Sequence, residues 1–261
     1  MNLQTRRMRK LTDGQIAQQP SWAPNRRIVF SAADCDDSCW SQLFYVDPEG
    51  RNQVLIQANA KRHLFHPTWS SDGRIAAVAL GRGLFTLSPG RPRPRTLTTG
   101  QSDEAPAWAP HSEWIAFDKR IRDTNYDIFA VNAKTRKIRR LTHDARQQTN
   151  PSWSPDASKL AFAEQEPSGR WAIVTMRADG AGRKRLTGSN VSAQEPRWAP
   201  DGKRIVFVDQ QLDTATIAVI DLNGRHLRRL TRKSLFVTTP AWSPDGRSIA
   251  FAALPAKKAA G

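Results

Sequence analysis

Pro240-Ala241-Trp242-Ser243-Pro244-Asp245-Gly246-Arg247-Ser248-Ile249-Ala250-Phe251 reads as a strand, a tight turn and a second strand. Asp-Gly suits a hairpin because glycine accepts a positive φ. The Pro-x-Trp core of this stretch recurs five times upstream, around Trp22, Trp69, Trp108, Trp153 and Trp198. Successive tryptophans lie 47, 39, 45, 45 and 44 residues apart. Each block is followed by a short β-rich run, such as Ile28-Val29-Phe30, Ile115-Ala116-Phe117 or Ile205-Val206-Phe207.

Further along each unit a third run appears in five of the six copies, Asp127-Ile128-Phe129-Ala130-Val131 being one. A fourth run ends in Leu-Thr at Leu11-Thr12, Leu97-Thr98, Leu141-Thr142, Leu186-Thr187 and Leu230-Thr231; Leu55-Ile56 stands in its place in one unit. Four short strands per repeat of this length is the arithmetic of a propeller blade. The sequence therefore predicts an all-β fold, a six-bladed β-propeller with four-stranded antiparallel blades. No window keeps apolar residues at helical spacing, and proline recurs inside every unit, which argues against a helical solenoid. The tryptophan is expected to fill the space between blades. The proline two residues before it is expected at the start of the innermost strand, where a missing N–H is tolerated.

The run Pro-x-Trp-Ser-Pro-Asp-Gly, then Ile-Ala-Phe, Asp-Ile-Phe-Ala-Val-Asn and Arg-Arg-Leu-Thr resembles the WD40-like propeller repeat of the TolB-like family. Pro240–Phe251 and Asn125–Thr142 carry it best. The resemblance implies a non-catalytic protein-interaction scaffold at the cell envelope, periplasmic or otherwise extracytoplasmic. Two departures qualify it. No α/β domain precedes the propeller, and no Gly-x-Ser-x-Gly elbow accompanies it, as a hydrolase domain would require.

Met1–Thr12 aligns without gaps on Val131–Thr142. The chain thus begins at the end of a third strand and supplies a fourth, while its C-terminal unit stops after its second strand. The last blade is expected either to be closed by the N-terminal strand or to remain incomplete. Residues 1–253 form a single domain on this reading, and residues 254–261 a flexible tail. The basic N-terminus is followed by no apolar stretch, so it does not read as a signal peptide, and no run is long and apolar enough to span a bilayer.

Residues just before each repeated proline occupy equivalent places around the channel: Gln19, His66, Ala105, Asn150, Glu195 and Thr239. One step earlier stand Gln18, Phe65, Glu104, Thr149, Gln194 and Thr238. The candidate binding ring is Gln19, His66, Glu104, Asn150, Gln194, Glu195 and Thr239. It suits a partner's peptide, or a divalent cation held by Glu104, Glu195, Asn150 or His66. A water-filled channel accounts for the same residues without a ligand. No nucleophile–base–acid set assembles from the sequence, so catalytic residues and an obligatory cofactor or metal are not expected.

Two cysteines, Cys35 and Cys39, share one hairpin loop with Asp34, Asp36 and Asp37. A loop disulfide, free thiols and a metal site all remain open there.

The formal net charge is +16. Basic residues gather in the fourth runs, as in Arg136-Lys137-Ile138-Arg139-Arg140 and Arg225-His226-Leu227-Arg228-Arg229. Edge cations defend sheets against aggregation; a basic rim also suits an acidic protein or anionic surface. No aromatics interleave with these clusters, which speaks against nucleic acid. The expected molecule is a monomer that binds a protein or peptide partner. Two alternatives are a lactonase-like hydrolase with a channel metal and a detached propeller of a peptidase or sensor.

Overall fold

The computed structural model describes residues 1–13, 16–33, 40–57, 63–88, 93–122, 125–211, 214–232 and 235–255. All regular structure among them is strand. Blade one is β1 (Ile16–Trp22), β2 (Ile28–Ala33), β3 (Ser41–Val46) and β4 (Val54–Gln57). Blade two is β5 (Leu64–Trp69), β6 (Ile75–Ala79), β7 (Gly83–Leu87) and β8 (Arg95–Thr96). Blade three is β9 (Asp103–Trp108), β10 (Trp114–Arg122), β11 (Asn125–Asn132) and β12 (Ile138–Arg140). Blade four is β13 (Gln148–Trp153), β14 (Lys159–Gln165), β15 (Trp171–Arg177) and β16 (Lys184–Arg185). Blade five is β17 (Ala193–Trp198), β18 (Arg204–Gln210), β19 (Ala215–Asp221) and β20 (Arg228–Arg229). Each of these five is a four-stranded antiparallel meander in sequence order. The sixth sheet holds β21 (Leu235–Trp242) and β22 (Ile249–Pro255).

The N-terminus closes the ring onto this sixth sheet. Asn2 bridges Ser248 antiparallel, Ile249 N–H donates to Met1 O at 2.9 Å, and the Met1 ammonium donates to Ile249 O at 2.8 Å. The place is that of a third strand, since Asn132 faces Trp114 in the same way in blade three. The following turn also repeats. Asn2 Oδ1 accepts from the Gln4 and Thr5 N–H groups, as Asn132 Oδ1 does from Lys134 and Thr135. Met1–Leu3 is thus a short third strand, and the run to Thr12 follows the course of a fourth without strand pairing. β22 continues through Pro255, two residues beyond the boundary expected for the tail; residues 256–261 lie outside the described ones.

Apolar residues between successive sheets form the core, with Phe117, Phe162 and Phe207 fully buried. The repeated tryptophans link neighbouring blades by more than contact. Trp153 Nε1 donates to Ala107 O at 3.1 Å, and Trp242 Nε1 to Arg197 O at 3.2 Å, each in the preceding blade. The guanidinium of Arg74 stacks on Trp108 and that of Arg204 on Trp242, again one blade on.

Leu-Thr has an equally local cause. Leu97, Leu141 and Leu186 are buried, while the threonine hydroxyl takes the place of a ladder carbonyl. Leu84, Ile128, Ile173 and Ile217 donate their N–H to Thr98, Thr142, Thr187 and Thr231 Oγ1 at 2.9 to 3.0 Å. The fourth strand can therefore end without leaving an N–H of the third unpaired.

The proline does not start the innermost strand. Pro20, Pro67, Pro106, Pro151, Pro196 and Pro240 all lie inside it, each at a break in register such as that between Gln18 and Ser21. A β-bulge leaves that residue out of the ladder, so its missing N–H disrupts nothing.

Candidate functional site

The bulges shape the channel. The residue before each proline has a positive φ: Gln19 at 55°, His66 at 50°, Ala105 at 43°, Asn150 at 55°, Glu195 at 53° and Thr239 at 51°. Left-handed backbone is uncommon outside glycine and most costly for a β-branched residue such as threonine. At four of these six positions, Gln19, His66, Asn150 and Thr239, the backbone N–H is turned to a side chain of the preceding blade.

Side chains answer those N–H groups. Glu195 Oε2 accepts from Thr239 N–H. Thr239 Oγ1 accepts from Gln19 N–H at 3.2 Å, and Gln19 Oε1 from His66 N–H at 2.8 Å. The relay thus passes from blade five to six, one and two. It ends at His66, whose Nδ1 has no hydrogen-bond partner among the described residues, and one blade on Ala105 offers no acceptor. Asp118 takes up the next step from β10, its carboxylate receiving the Asn150 N–H.

Two residues that the sequence reading passed over dominate the electrostatics. Arg197 is the middle residue of Pro196-Arg197-Trp198, where the other blades carry Ser21, Thr68, Ala107, Ser152 and Ala241. It is the one long side chain at that level; its Nη1 donates to Pro196 O at 2.8 Å. Asp118 is buried and stands opposite Glu104 in the β9–β10 pairing. Burial first, and the Glu104 charge second, push the Asp118 carboxyl up to about 7. Burial pushes His66 down to about 4, helped by the Arg197 charge. Burial also raises Glu195, against the pull of the Thr239 N–H and Arg197. It lowers Arg197, against the pull of Glu195 and Asp118. Asp118 Oδ1 and His66 Nδ1 are buried without a hydrogen-bond partner among the described residues. A one-residue irregularity in the repeat, Arg for Ser, Thr or Ala and Asp for Ser, Ala or Val, was the signal available in the sequence.

Towards the turn-bearing end the channel opens into a cavity of about 190 Å³. Every blade contributes to its wall, through residues such as Trp22, Thr68, Trp108, Ser152, Arg197 and Trp242. Gln19, His66, Ala105 and Thr239 form part of the same wall. Glu104 lies beside Asp118; Gln194 pairs with Val208 at the start of β17. Among the described residues no group of three His, Cys, Asp or Glu side chains is arranged to hold a metal ion. Cys35 and Cys39 lie outside the described residues.

The basic rim is less free than its sequence suggests. Arg229 reaches the buried Asp209 at 2.6 Å, and Arg185 reaches Glu166 at 2.9 Å. Arg140 binds the buried Asp127, and Arg183 binds Asp144 and Glu164. Arg95 donates to Ala133 and Lys134 carbonyls at 2.8 Å. These arginines tie fourth strands and loops to the blades; they are structural ties first and surface charge second.

Residues 61–259 match the family model of the TolB beta propeller domain. The chain belongs to the TolB β-propeller family. The putative TolB of Agrobacterium tumefaciens superposes with a TM-score of 0.82 at 20% identity, over 98% of this chain and 96% of that one. TolB from Acinetobacter baumannii gives 0.68 at 20% identity, over 94% of this chain and 64% of that one. An oligogalacturonate lyase in complex with manganese gives 0.65 at 14% identity, over 91% and 72%. Such low identities show a shared fold. No curated protein matches this TolB-family propeller in sequence. Among the described residues no helix is long and apolar enough to cross a membrane.

Proposed function

We propose that this propeller is a non-catalytic binding scaffold whose central channel receives a segment of a protein partner. One observation carries the reading. All six blades contribute to one open cavity, and Arg197 alone among the residues of its level reaches into it with a long, directional donor group. Indole edges and proline rings offer apolar area, and the hydroxyls of Thr68 and Ser152 offer adaptable hydrogen bonds, a composition suited to an extended peptide. The excess of basic residues favours an acidic partner by long-range attraction. Family membership supports an extracytoplasmic setting at the cell envelope.

A photo-crosslinking residue placed at Thr68 or Ser152 tests this directly. The expected result is one discrete crosslinked polypeptide, lost on Arg197→Ala and not obtained from a crosslinker at Arg228 on the rim. Crosslinks that ignore Arg197→Ala would overturn the channel reading.

A second reading rests on the Glu104–Asp118 pair. A buried carboxyl raised towards neutrality in a channel is the kind of group that performs proton transfer or takes a cation. On that reading the protein is a propeller enzyme. Metal analysis of the dialysed protein decides between them. A stoichiometric divalent cation that disappears in Glu104→Ala would favour the enzyme; a metal-free protein with crosslinks at Thr68 would favour the scaffold.

A further inference from the structure

Just past the bulges, six residues of the inner strands stand at one level. They are Ser21, Thr68, Ala107, Ser152, Arg197 and Ala241. Each stands opposite a valine or alanine of its second strand, Val29 and Val206 among them. All six line the channel cavity. The ring therefore offers one guanidinium, three hydroxyls and two methyl groups. Every polar side chain in it can donate a hydrogen bond, and none is acceptor-only. Ser152 Oγ accepts the Trp198 N–H at 3.2 Å and keeps its own proton to give.

The acids of the channel lie deeper. Glu195 sits at a bulge, where its carboxylate accepts the Thr239 N–H. Glu104 and Asp118 face each other on the far side of the bulge in blade three. Among the described residues of the cavity wall there is no Asp or Glu. Burial holds His66, the other titratable residue there, down at about 4, so it is neutral near pH 7. The wall thus carries one fixed charge, and it is positive.

That charge has no bonded counter-ion. Arg74, Arg140, Arg183 and Arg229 each hold a carboxylate. Arg197 donates to Pro196 O, a neutral acceptor, and makes no other hydrogen bond and no ion pair among the described residues. Glu195 and Asp118 act on it only through space. A guanidinium is a planar fork of five donors, and a carboxylate matches it with two parallel bonds. A buried charge without such a partner is costly, and an entering carboxylate would offset that cost. The cavity of about 190 Å³ is smaller than the ~300–1,000 Å³ of pockets that enclose a whole small ligand. It has room for the end of a segment.

We propose that Arg197 is the specificity residue of the channel and captures a carboxylate of the entering segment, with the hydroxyls of Ser21, Thr68 and Ser152 as further donors. The inference rests on the channel reading above and adds to it the group that is recognised. The indoles of Trp22, Trp153 and Trp242 cover the apolar stem behind that group. A chain terminus and an acidic side chain present the same two oxygens, so the chemistry is shared and the source is left to the test.

Three peptides serve as probes with the full chain: acetyl-trialanine as the free acid, acetyl-trialanine amide, and an amidated acetyl-tripeptide with aspartate between two alanines. Tryptophan fluorescence reports binding, since indoles line the cavity. At least one carboxylate peptide should bind saturably, and the uncharged amide at least about tenfold more weakly. Arg197→Gln should abolish this preference, and Arg197→Lys, a point charge without the fork, should restore part of it. Binding of the free acid alone assigns a chain terminus, and of the aspartyl peptide alone an acidic side chain. Should Arg197→Gln fold poorly, the comparison of acid and amide on the unaltered protein still decides. Equal binding of acid and amide, no binding of any probe, or a preference that survives Arg197→Gln overturns the proposal. Crosslinks at Thr68 without a carboxylate preference overturn this inference and leave the channel reading standing; a carboxylate preference without crosslinks does the reverse.

Discussion

The carboxylate of Glu195 accepts a hydrogen bond from the backbone N–H of Thr239, one blade further around the channel. The bond exists because the bulge at Thr239 turns that N–H away from β22. Glu195→Ala should leave it unpaired and cost about 1–2 kcal/mol, whereas Glu195→Gln retains an acceptor and should cost less. Urea denaturation of both variants measures the difference. Equal losses would show that the charge, and not the acceptor, matters.

Thr239 itself is held at a φ of 51°, a conformation that a β-branched side chain resists. Asparagine tolerates this region and retains an oxygen for the Gln19 N–H. Thr239→Asn is expected to stabilise the fold by up to about 1 kcal/mol, seen as a raised Tm. A lowered Tm would show that the threonine methyl contributes more packing than its backbone costs.

Asp118 and His66 impose opposite pH slopes on stability. Asp118 titrates near 7 when folded against an ordinary 3.8, so the folded state holds the extra proton between those values. Its contribution to stability therefore falls as pH rises from about 4 to about 7. Asp118→Asn should gain on the wild type across that window. His66 titrates near 4 against an ordinary 6.5, so stability is lost as pH falls between them. His66→Asn should gain on the wild type towards acid. Thermal melts from pH 4 to pH 8 check both, and parallel curves for variant and wild type would refute the assignment.

Thr142 is buried, and its hydroxyl accepts the Ile128 N–H while lying 3.3 Å from an Asp127 carboxylate oxygen. Thr142→Val preserves shape but leaves that N–H unpaired. A loss of about 1–3 kcal/mol is expected, with Thr142→Ser recovering most of it. A neutral Thr142→Val would mean that the Leu-Thr repeat reflects packing alone.

Trp153 separates packing from hydrogen bonding between blades. Trp153→Phe keeps apolar area but loses the bond to Ala107 O, at about 1 kcal/mol. Trp153→Ala should cost about 3–5 kcal/mol. Chemical denaturation of the pair gives the two contributions.

Most of the architecture was legible because it repeats. Six copies of Pro-x-Trp and five of Leu-Thr report the same local solution, and repetition makes each residue's role visible. The bulge was not read, since a proline inside an inner strand and one at its start leave the same mark in sequence. The ring positions Gln19, His66 and Glu195 could be listed from their spacing. Their relay could not, because it depends on which N–H groups the bulges turn outward. Arg197 and Asp118 escaped notice for the opposite reason: they are departures from the repeat, and a search for likeness passes over the one member that differs. The rim arginines looked uniform in sequence, yet the acids that tie Arg140 and Arg229, Asp127 and Asp209, lie on other strands of the same blade, 13 and 20 residues away, where the sheet and not the local sequence brings them together.

Ring closure through Asn2 and Ser248 sets an order of events during synthesis. Blades one to five each hold all four of their strands within a continuous stretch and can form while the chain is still being made. Ser248, the partner of Asn2, is made only after all five of those blades. Until then the arc must wait open, with the flanks of blade one and blade five uncovered. Contacts of such long sequence separation form late and slowly. The interval before closure is when this protein is most exposed to aggregation, and when a chaperone acting on the nascent arc would help it most.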